Sequence, residues 1–404
     1  MRLGDIINIK HGFAFSGNHI IEEDNGVVLV TPGNFRIGGG FQEKKCKFFD
    51  GEIPKEYILN EGDFIVTMTD LSKTIDTLGY SALVPKSSSR TYLHNQRIGL
   101  VQFKNDSCDR GYIYWLMRTR GYQRTIANTS TGSTVHHTSP AKICDFEFTP
   151  PSIETQRRIA EILSRYDSLI ENYQRQIKLL EEAAQRLYKE WFVDLHFPGH
   201  DNTPIIDGIP QGWEKKKLGE IIETTSGGTP SRRKENFFSG SILWVKTKEL
   251  NDGFIFDTEE KITEEALNQS SAKMVPEGSL LLAMYGATIG KLGVAGQSLS
   301  CNQACCVFLL NSKEYYRWFL YNWLMYNRTF LISQGKGAAQ PNLSQELIKN
   351  FEIVIPSSNL LMIFHRLADK IYTESAKLQA QIRNLTEARD RLLPKLMSGE
   401  IDIV

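Results

Sequence analysis

The sequence has little cysteine, no long apolar run, no excess charge of either sign and no complete catalytic signature, and each shortage removes a class of protein. Six cysteines in 404 residues, scattered or set in strand-like apolar runs, make no disulfide framework and suit a reducing compartment. Only Cys301, Cys305 and Cys306 cluster, and without a second ligand pair at metal-site spacing they read as buried strand thiols. No stretch approaches the roughly 18 apolar residues of a membrane span, and the opening "MRLGDIINIK" lacks the apolar core of a signal peptide. A soluble, cytoplasmic protein without membrane contact is expected. Lys+Arg and Asp+Glu both total 47, so any nucleic-acid surface has to be local rather than global.

Complete catalytic patterns are missing as well. There is no G-x-G-x-x-G after a strand, no H-E-x-x-H, no G-x-S-x-G and no Asn-Pro-Pro-aromatic or Asp-Pro-Pro-aromatic tetrapeptide of an amino-methyltransferase. "GATIGKL" (286–292) falls short of a phosphate loop, because three residues separate its glycines and Leu292 stands where a hydroxyl should meet magnesium. The adjacent His136 and His137 in "TGSTVHHTSPAKICDFEFTPPS" (131–152) are the remaining acid–base or metal candidates.

A second stretch decides against them. "GKGAAQPNLSQELIKNFEIVIPS" (335–357) aligns without a gap, placing Phe146 on Phe351, Ser139 on Ser344, Pro151 on Pro356 and Ser152 on Ser357. The histidines then face Pro341 and Asn342, so the loop has a fixed stem and a tip, Ser133 to Thr138, that differs between copies. Such variation suits recognition better than catalysis.

Other echoes follow in order. They are "MRLGDIINIKHG" (1–12) with "KKLGEIIETTSGG" (216–228), "EGDFIVTMTD" (61–70) with "EGSLLLAMYG" (277–286), and "HNQRIGLVQF" (94–103) with "CNQACCVFLL" (301–310). Offsets of about 205 to 216 residues exceed any solenoid period and mark duplication of a whole module. Each module shows β-rich runs between turn residues ("GVVLV", "DFIVTMT", "RIGLVQF"; "SILWV", "SLLLAMY", "ACCVFLL"), then a helical stretch near 110–127 or 314–333 and a short strand ("CDFEF", "NFEIVI"). Each is read as an α+β domain.

A long helix is expected after each module, opened by Ser152 as cap with Glu154 near its positive end. The first carries Ile159, Ile162, Tyr166, Leu169, Tyr173, Ile177, Leu180, Ala184, Leu187 and Trp191, with one stutter at Tyr173. The second spaces Phe364, Ile371, Leu378, Leu385 and Leu392 by heptads, filled in by Leu360, Leu367, Ile382 and Leu396, and is expected to stop at Pro394 and Gly399. The fold expected is α+β: two similar domains, each a candidate for target recognition, separated by two long antiparallel helices forming a coiled coil, a pseudo-twofold duplication. Its parts are 1–151, a spacer 152–197, a linker with the second domain 198–356, and a spacer with tail 357–404. From Glu154 to Trp191 the rise would be roughly 57 Å, comparable with about 17 base pairs of duplex.

Donors concentrate at the expected loops. Arg36, Lys73, Arg97, Ser133, His136, His137 and Lys142 serve the first copy as DNA-contact candidates; Thr229, Arg232, Arg233, Lys234, Lys246, Lys248, Tyr285, Lys291, Lys336, Gln340 and Asn342 serve the second. Cations can position a domain on phosphates, and polar tips can read base edges. The dipeptides Asn95-Gln96 and Asn302-Gln303, kept by both copies, are read as structural or phosphate-holding.

"QRRIAEILSRYDSLIENYQRQIKLLEEAAQRLYKEWFVDLHFPG" (156–199) and "RDRLLPKLMSGEIDIV" (389–404) resemble the central and C-terminal helical regions of Type I restriction–modification specificity subunits. "LGEIIETTSGGTP" and "EGSLLLAMYGATIGKLG" resemble their target recognition domains, so the resemblance spans essentially the whole chain. It implies a non-catalytic subunit that reads a bipartite site in double-stranded DNA, one half per domain, with the helices setting the gap. It also implies two methyltransferase subunits docked on the helices and two restriction subunits, with S-adenosylmethionine, ATP and magnesium held by those partners and no cofactor in this chain. The first domain departs more from the pattern, with "KHGFAFSGN" where the second has "TSGGTPSRR". A stand-alone tandem-domain DNA-binding regulator is the competing reading. A hydrolase or nuclease built on His136 and His137 is the third.

Overall fold

The computed structural model describes residues 1–44, 46–72, 74–311, 313–335 and 342–401. It divides into two compact units: Met1–Ile170 with Leu385–Val404, and Glu171–Asn384. The division runs through both long helices, so each unit holds one recognition module, the start of one long helix and the end of the other.

In the first unit, an antiparallel sheet runs in the order Ile7–His11, Ile98–Phe103, Phe64–Thr67, Ser81–Leu83. Beside it lies a five-stranded sheet in which Val27–Val30 pairs parallel with Thr91–His94. The second unit repeats this plan. Glu223–Ser226, Cys305–Leu309, Leu280–Ala283 and Leu292–Ala295 follow the first order, and Ile242–Val245 pairs parallel with Leu299–Cys301. The continuous apolar runs are explained by burial on both faces. Phe64 and Val66 join the core that includes the long helices, while Ile65 points into a second core between the sheets. Leu280 and Leu282 part from Leu281 and Ala283 in the same way.

The duplication extends to single hydrogen bonds. The Leu3 N–H donates to the Phe146 carbonyl and the Leu218 N–H to the Phe351 carbonyl, both at 2.9 Å. Ser139 caps Pro140–Cys144 as Ser344 caps Gln345–Asn350. The shared asparagines are structural: Asn95 Oδ1 accepts from the Arg97 N–H and Asn302 Oδ1 from the Ala304 N–H. Against each turn lies a glycine. A Cβ on Gly12 would meet the Asn95 carbonyl oxygen at 2.2 Å, and one on Gly227 the Cys301 carbonyl oxygen at 2.0 Å, so only glycine allows the approach.

Several elements differ from the sequence expectation. The helical stretches break into Arg110–Leu116 and Arg120–Asn128, and into Arg317–Tyr326 and Arg328–Ser333. Thr119 caps the second piece of the first pair, because its hydroxyl offers the backbone a competing acceptor. "CDFEF" forms no strand beyond an isolated bridge between Glu147 and Arg2, whereas Glu352–Ile355 pairs fully with Glu214–Lys217. All six cysteines are free, and Cys301, Cys305 and Cys306 are buried.

The long helices span Ile153–Phe192 and Ser358–Ser398. Ser152 Oγ accepts from the Thr155 N–H, and Ser357 Oγ from the Leu360 N–H. The second helix does not stop at Pro394; it continues to Ser398 and ends at Gly399 in the left-handed region. Proline there gives up one ladder bond, but the buried Leu393 and Leu396 flanking it keep the turn packed. The expected seam also needs correction. Leu169 and Leu367 are exposed, while Leu163, Ile170, Tyr188, Leu361 and Tyr372 are buried. Each helix carries a second apolar line that meets a recognition module as well as one that meets its partner helix. In the first unit Ile159 and Leu163 share a core with Leu393, Leu396 and Trp115; in the second, Tyr188 and Trp191 share one with Phe364 and Trp318.

One tryptophan pins each module to its helix at equivalent positions. Trp115 Nε1 donates to Ser164 Oγ (3.1 Å) and Trp318 Nε1 to Asp369 Oδ1 (2.8 Å). Next to these contacts the copies diverge chemically. In the first unit Asp167 accepts from Arg118 (2.5 Å) and from Arg389, while Arg118 also lies over the Trp115 ring at 4.2 Å. At the equivalent places the second unit has Tyr372 stacked on Trp318 at 4.0 Å, and Ala184 in place of Arg389.

Candidate nucleic-acid interface

The strand Phe64–Thr67 runs on into a second short strand, Thr69–Asp70, which pairs with His136–His137. The supposed loop tip is therefore half strand. Thr131 bridges His137 on its other side through two backbone hydrogen bonds of 2.8 and 3.0 Å, leaving Gly132 to Val135 as the bend. Gly132 has φ +104°, and a Cβ there would stand 2.0 Å from the Val135 carbonyl oxygen, so the bend requires glycine. Asp70, buried, organises the neighbouring loop by accepting from the backbone N–H groups of Ser72, Thr77 and Leu78. Burial acts to raise its pKa, but those hydrogen bonds hold the carboxyl below its ordinary value.

Arg97 is exposed in the adjacent turn, and its carbonyl accepts from the Met68 N–H. His136, His137, Ser133 and Arg97 are thus brought to one end of the first module. Arg36 lies in a separate loop, half-buried, and Lys142 is turned to the Thr129 carbonyl. Lys73 lies outside the described residues. In the second module the corresponding frame is present: the Leu343 N–H donates to the Met284 carbonyl as the Thr138 N–H donates to Met68. That bond brings Asn342 beside Tyr285, and Thr229 bonds Gln303 of the shared turn. Lys336 and Gln340 fall outside the described residues.

Most of the second module's cations are already occupied. Arg232 pairs with Glu260 at 2.7 Å and stacks over Phe238 at 4.1 Å. Lys246, only 17% exposed, binds Glu259 and Glu260, and Lys248 binds Glu259. The two lysines hold the Glu259 carboxyl down at about 2. Lys234 donates to Gln269 and lies over Phe237. These are struts within the smaller sheet rather than free phosphate contacts. Of the candidate cations among the described residues, Arg36, Arg97 and Arg233 make neither an ion pair nor a side-chain hydrogen bond and are left available. Sequence reasoning missed the partners because Glu259 and Glu260 lie well away along the chain from Arg232 and Lys246.

Lys291 is also engaged, with Asp252 at 2.6 Å, and Arg328 completes the group. Although burial raises it, Lys291, the Leu292 N–H and Arg328 hold the Asp252 carboxyl below its ordinary value. Behind it, on the first long helix, burial and then the Asp252 charge push Glu181 from 4.5 up to about 7. The folded chain keeps a proton on Glu181 that the unfolded chain releases above about pH 4.5. Its stabilising contribution is therefore full at lower pH and is lost as pH rises through about 7. Melting curves should show the second unit gaining stability as pH falls from about 7 to about 5, a slope flattened in Glu181→Gln; an unchanged slope in that variant would refute the assignment.

Among the described residues no group of three His, Cys, Asp or Glu side chains could hold a metal ion, and no helix is long and apolar enough to cross a membrane. The model of the Type I restriction modification DNA specificity domain family matches residues 1–182 and again 210–383, once over each copy. The chain belongs to this family. Among its relatives, the specificity subunit of the Type I restriction enzyme MjaIX of Methanocaldococcus jannaschii is 31% identical over 301 residues, covering 72% of this chain and 69% of that protein. The HindI specificity subunit of Haemophilus influenzae is 22% identical over 345 residues, covering 70% and 75%. The fold of the Type I restriction–modification S subunit from M. genitalium matches over 100% of this chain and 96% of that one, with a TM-score of 0.58 at 16% identity. A specificity subunit needs a constant frame that presents different side chains, and the paired Met68–Thr138 and Met284–Leu343 bonds supply one.

Proposed function

We propose that each recognition module reads one half of a bipartite site in double-stranded DNA, and that the long helices set the unspecified gap and carry the partner subunits. The observation that supports this most is the repeated frame. Both modules fix the loop after their paired helices to an equivalent backbone carbonyl, that of Met68 or of Met284, yet the tips they hold differ in sequence. Uncommitted cations such as Arg97 and Arg233 hold the duplex through its phosphates, while loop tips enter the major groove. Two methyltransferase subunits supply adenine modification with S-adenosylmethionine, and two restriction subunits supply ATP- and magnesium-dependent cleavage, all in the cytoplasm; this chain supplies the address. Sequencing of modified bases in DNA from cells with and without the chain tests the proposal. A split adenine-modified motif that disappears with the chain is expected, and a continuous motif that depends on it would contradict the proposal.

A further inference from the structure

Resting on that DNA-reading function, the geometry points to a single base-reading atom in the first module: we infer that His137 Nε2, held by Thr69, is a specificity-determining donor, whereas its neighbour His136 is not. Successive strand residues project to opposite faces, so the two histidines cannot both face the same groove. His136 stands opposite Asp70, whose carboxylate is occupied with the 72–78 loop, and is the more buried of the two. His137 stands opposite Thr69 on the other face and is exposed.

The His137 backbone is fixed on both sides, by Thr69 and by Thr131. Its ring is fixed too, because Nδ1 lies 3.1 Å from Thr69 Oγ1. Thr69 is itself anchored: it is buried, and its carbonyl accepts from Thr67 Oγ1 at 2.9 Å. Among the described residues the Thr69 hydroxyl has no partner but this ring. A buried hydroxyl needs an acceptor for its proton, and Nδ1 provides one when the ring carries its own proton on Nε2. The imidazole then presents one N–H outward, matching the purine N7 or guanine O6 acceptors in the major groove. A ring held this way costs little ordering entropy on binding.

The test is the modified motif directed by His137→Ala, His137→Asn, Thr69→Val and His136→Ala, each expressed with the methyltransferase partner, together with melting temperatures. His137→Ala should accept more than one base at one position of one half-site, leaving the other half and the gap unchanged. Thr69→Val should relax the same position partially, and His136→Ala should leave the motif intact. An unchanged motif in His137→Ala, equal relaxation by His136→Ala, or complete loss of modification in a His137→Asn chain of normal melting temperature would each overturn the assignment. A wild-type chain that directs no split motif would instead refute the underlying function.

Discussion

Replacing Asp167 with alanine should destabilise the first unit by about 3–5 kcal/mol, because it strands two buried guanidinium groups. The side chain of Arg118 is 3% exposed and that of Arg389 is 11% exposed, and Asp167 is the carboxylate both share. Water cannot reach Arg118 to compensate. Arg389 keeps Asp390 at 2.7 Å, while among the described residues Arg118 keeps the Gly38 carbonyl, the Tyr114 hydroxyl and the Tyr114 and Trp115 ring faces, none of them a charge. For a unit of this size the loss corresponds to a fall in melting temperature on the order of 10 °C. A triple replacement, Arg118→Met with Asp167→Leu and Arg389→Met, should recover most of it, since a buried charge network rarely outperforms a packed apolar one. Thermal and urea denaturation would measure both. A loss below about 1 kcal/mol for Asp167→Ala would mean that the group is solvated and the structural account wrong.

The second unit already contains an apolar solution to the same packing problem. Tyr372 replaces the aspartate, stacks on Trp318 and donates its hydroxyl to Asn322 at 3.0 Å, and Ala184 takes the place of the second arginine. A charged triad in one copy and an aromatic stack in the other give each module its own complement on the helices. A module moved between positions therefore needs its helix partners moved with it.

How much of this was legible in the sequence depended on whether the signal was local. Runs such as "DFIVTMT" and "SLLLAMY" are buried on both faces, so strand position could be read directly, and the repeated Leu-Gly, Asn-Gln and Pro-Ser landmarks carried the duplication. The long helices were legible for the same reason, but their inner line was not: Leu163, Leu361 and Tyr372 pack on recognition modules whose place could not be read from helix periodicity. Candidate contacts were less legible still. Arg232, Lys246 and Lys248 look like a basic patch until Glu259 and Glu260 come beside them in space. His136 and His137 look equivalent until strand pairing turns them to opposite faces.

If two modules of one ancestry each read half a site in a shared frame, a module placed in the other's position should carry its half-site with it. Junctions are marked by the matching Leu3–Phe146 and Leu218–Phe351 bonds, so residues 3–146 can replace 218–351. Tyr372→Asp and Ala184→Arg should accompany the exchange, rebuilding around the transplanted Arg118 the carboxylate it shares with a second arginine in the first unit. In cells with the methyltransferase partner, modified-base sequencing should find a motif that carries the first half-site twice and lacks the second. Persistence of the original second half-site in such a chain would contradict the account.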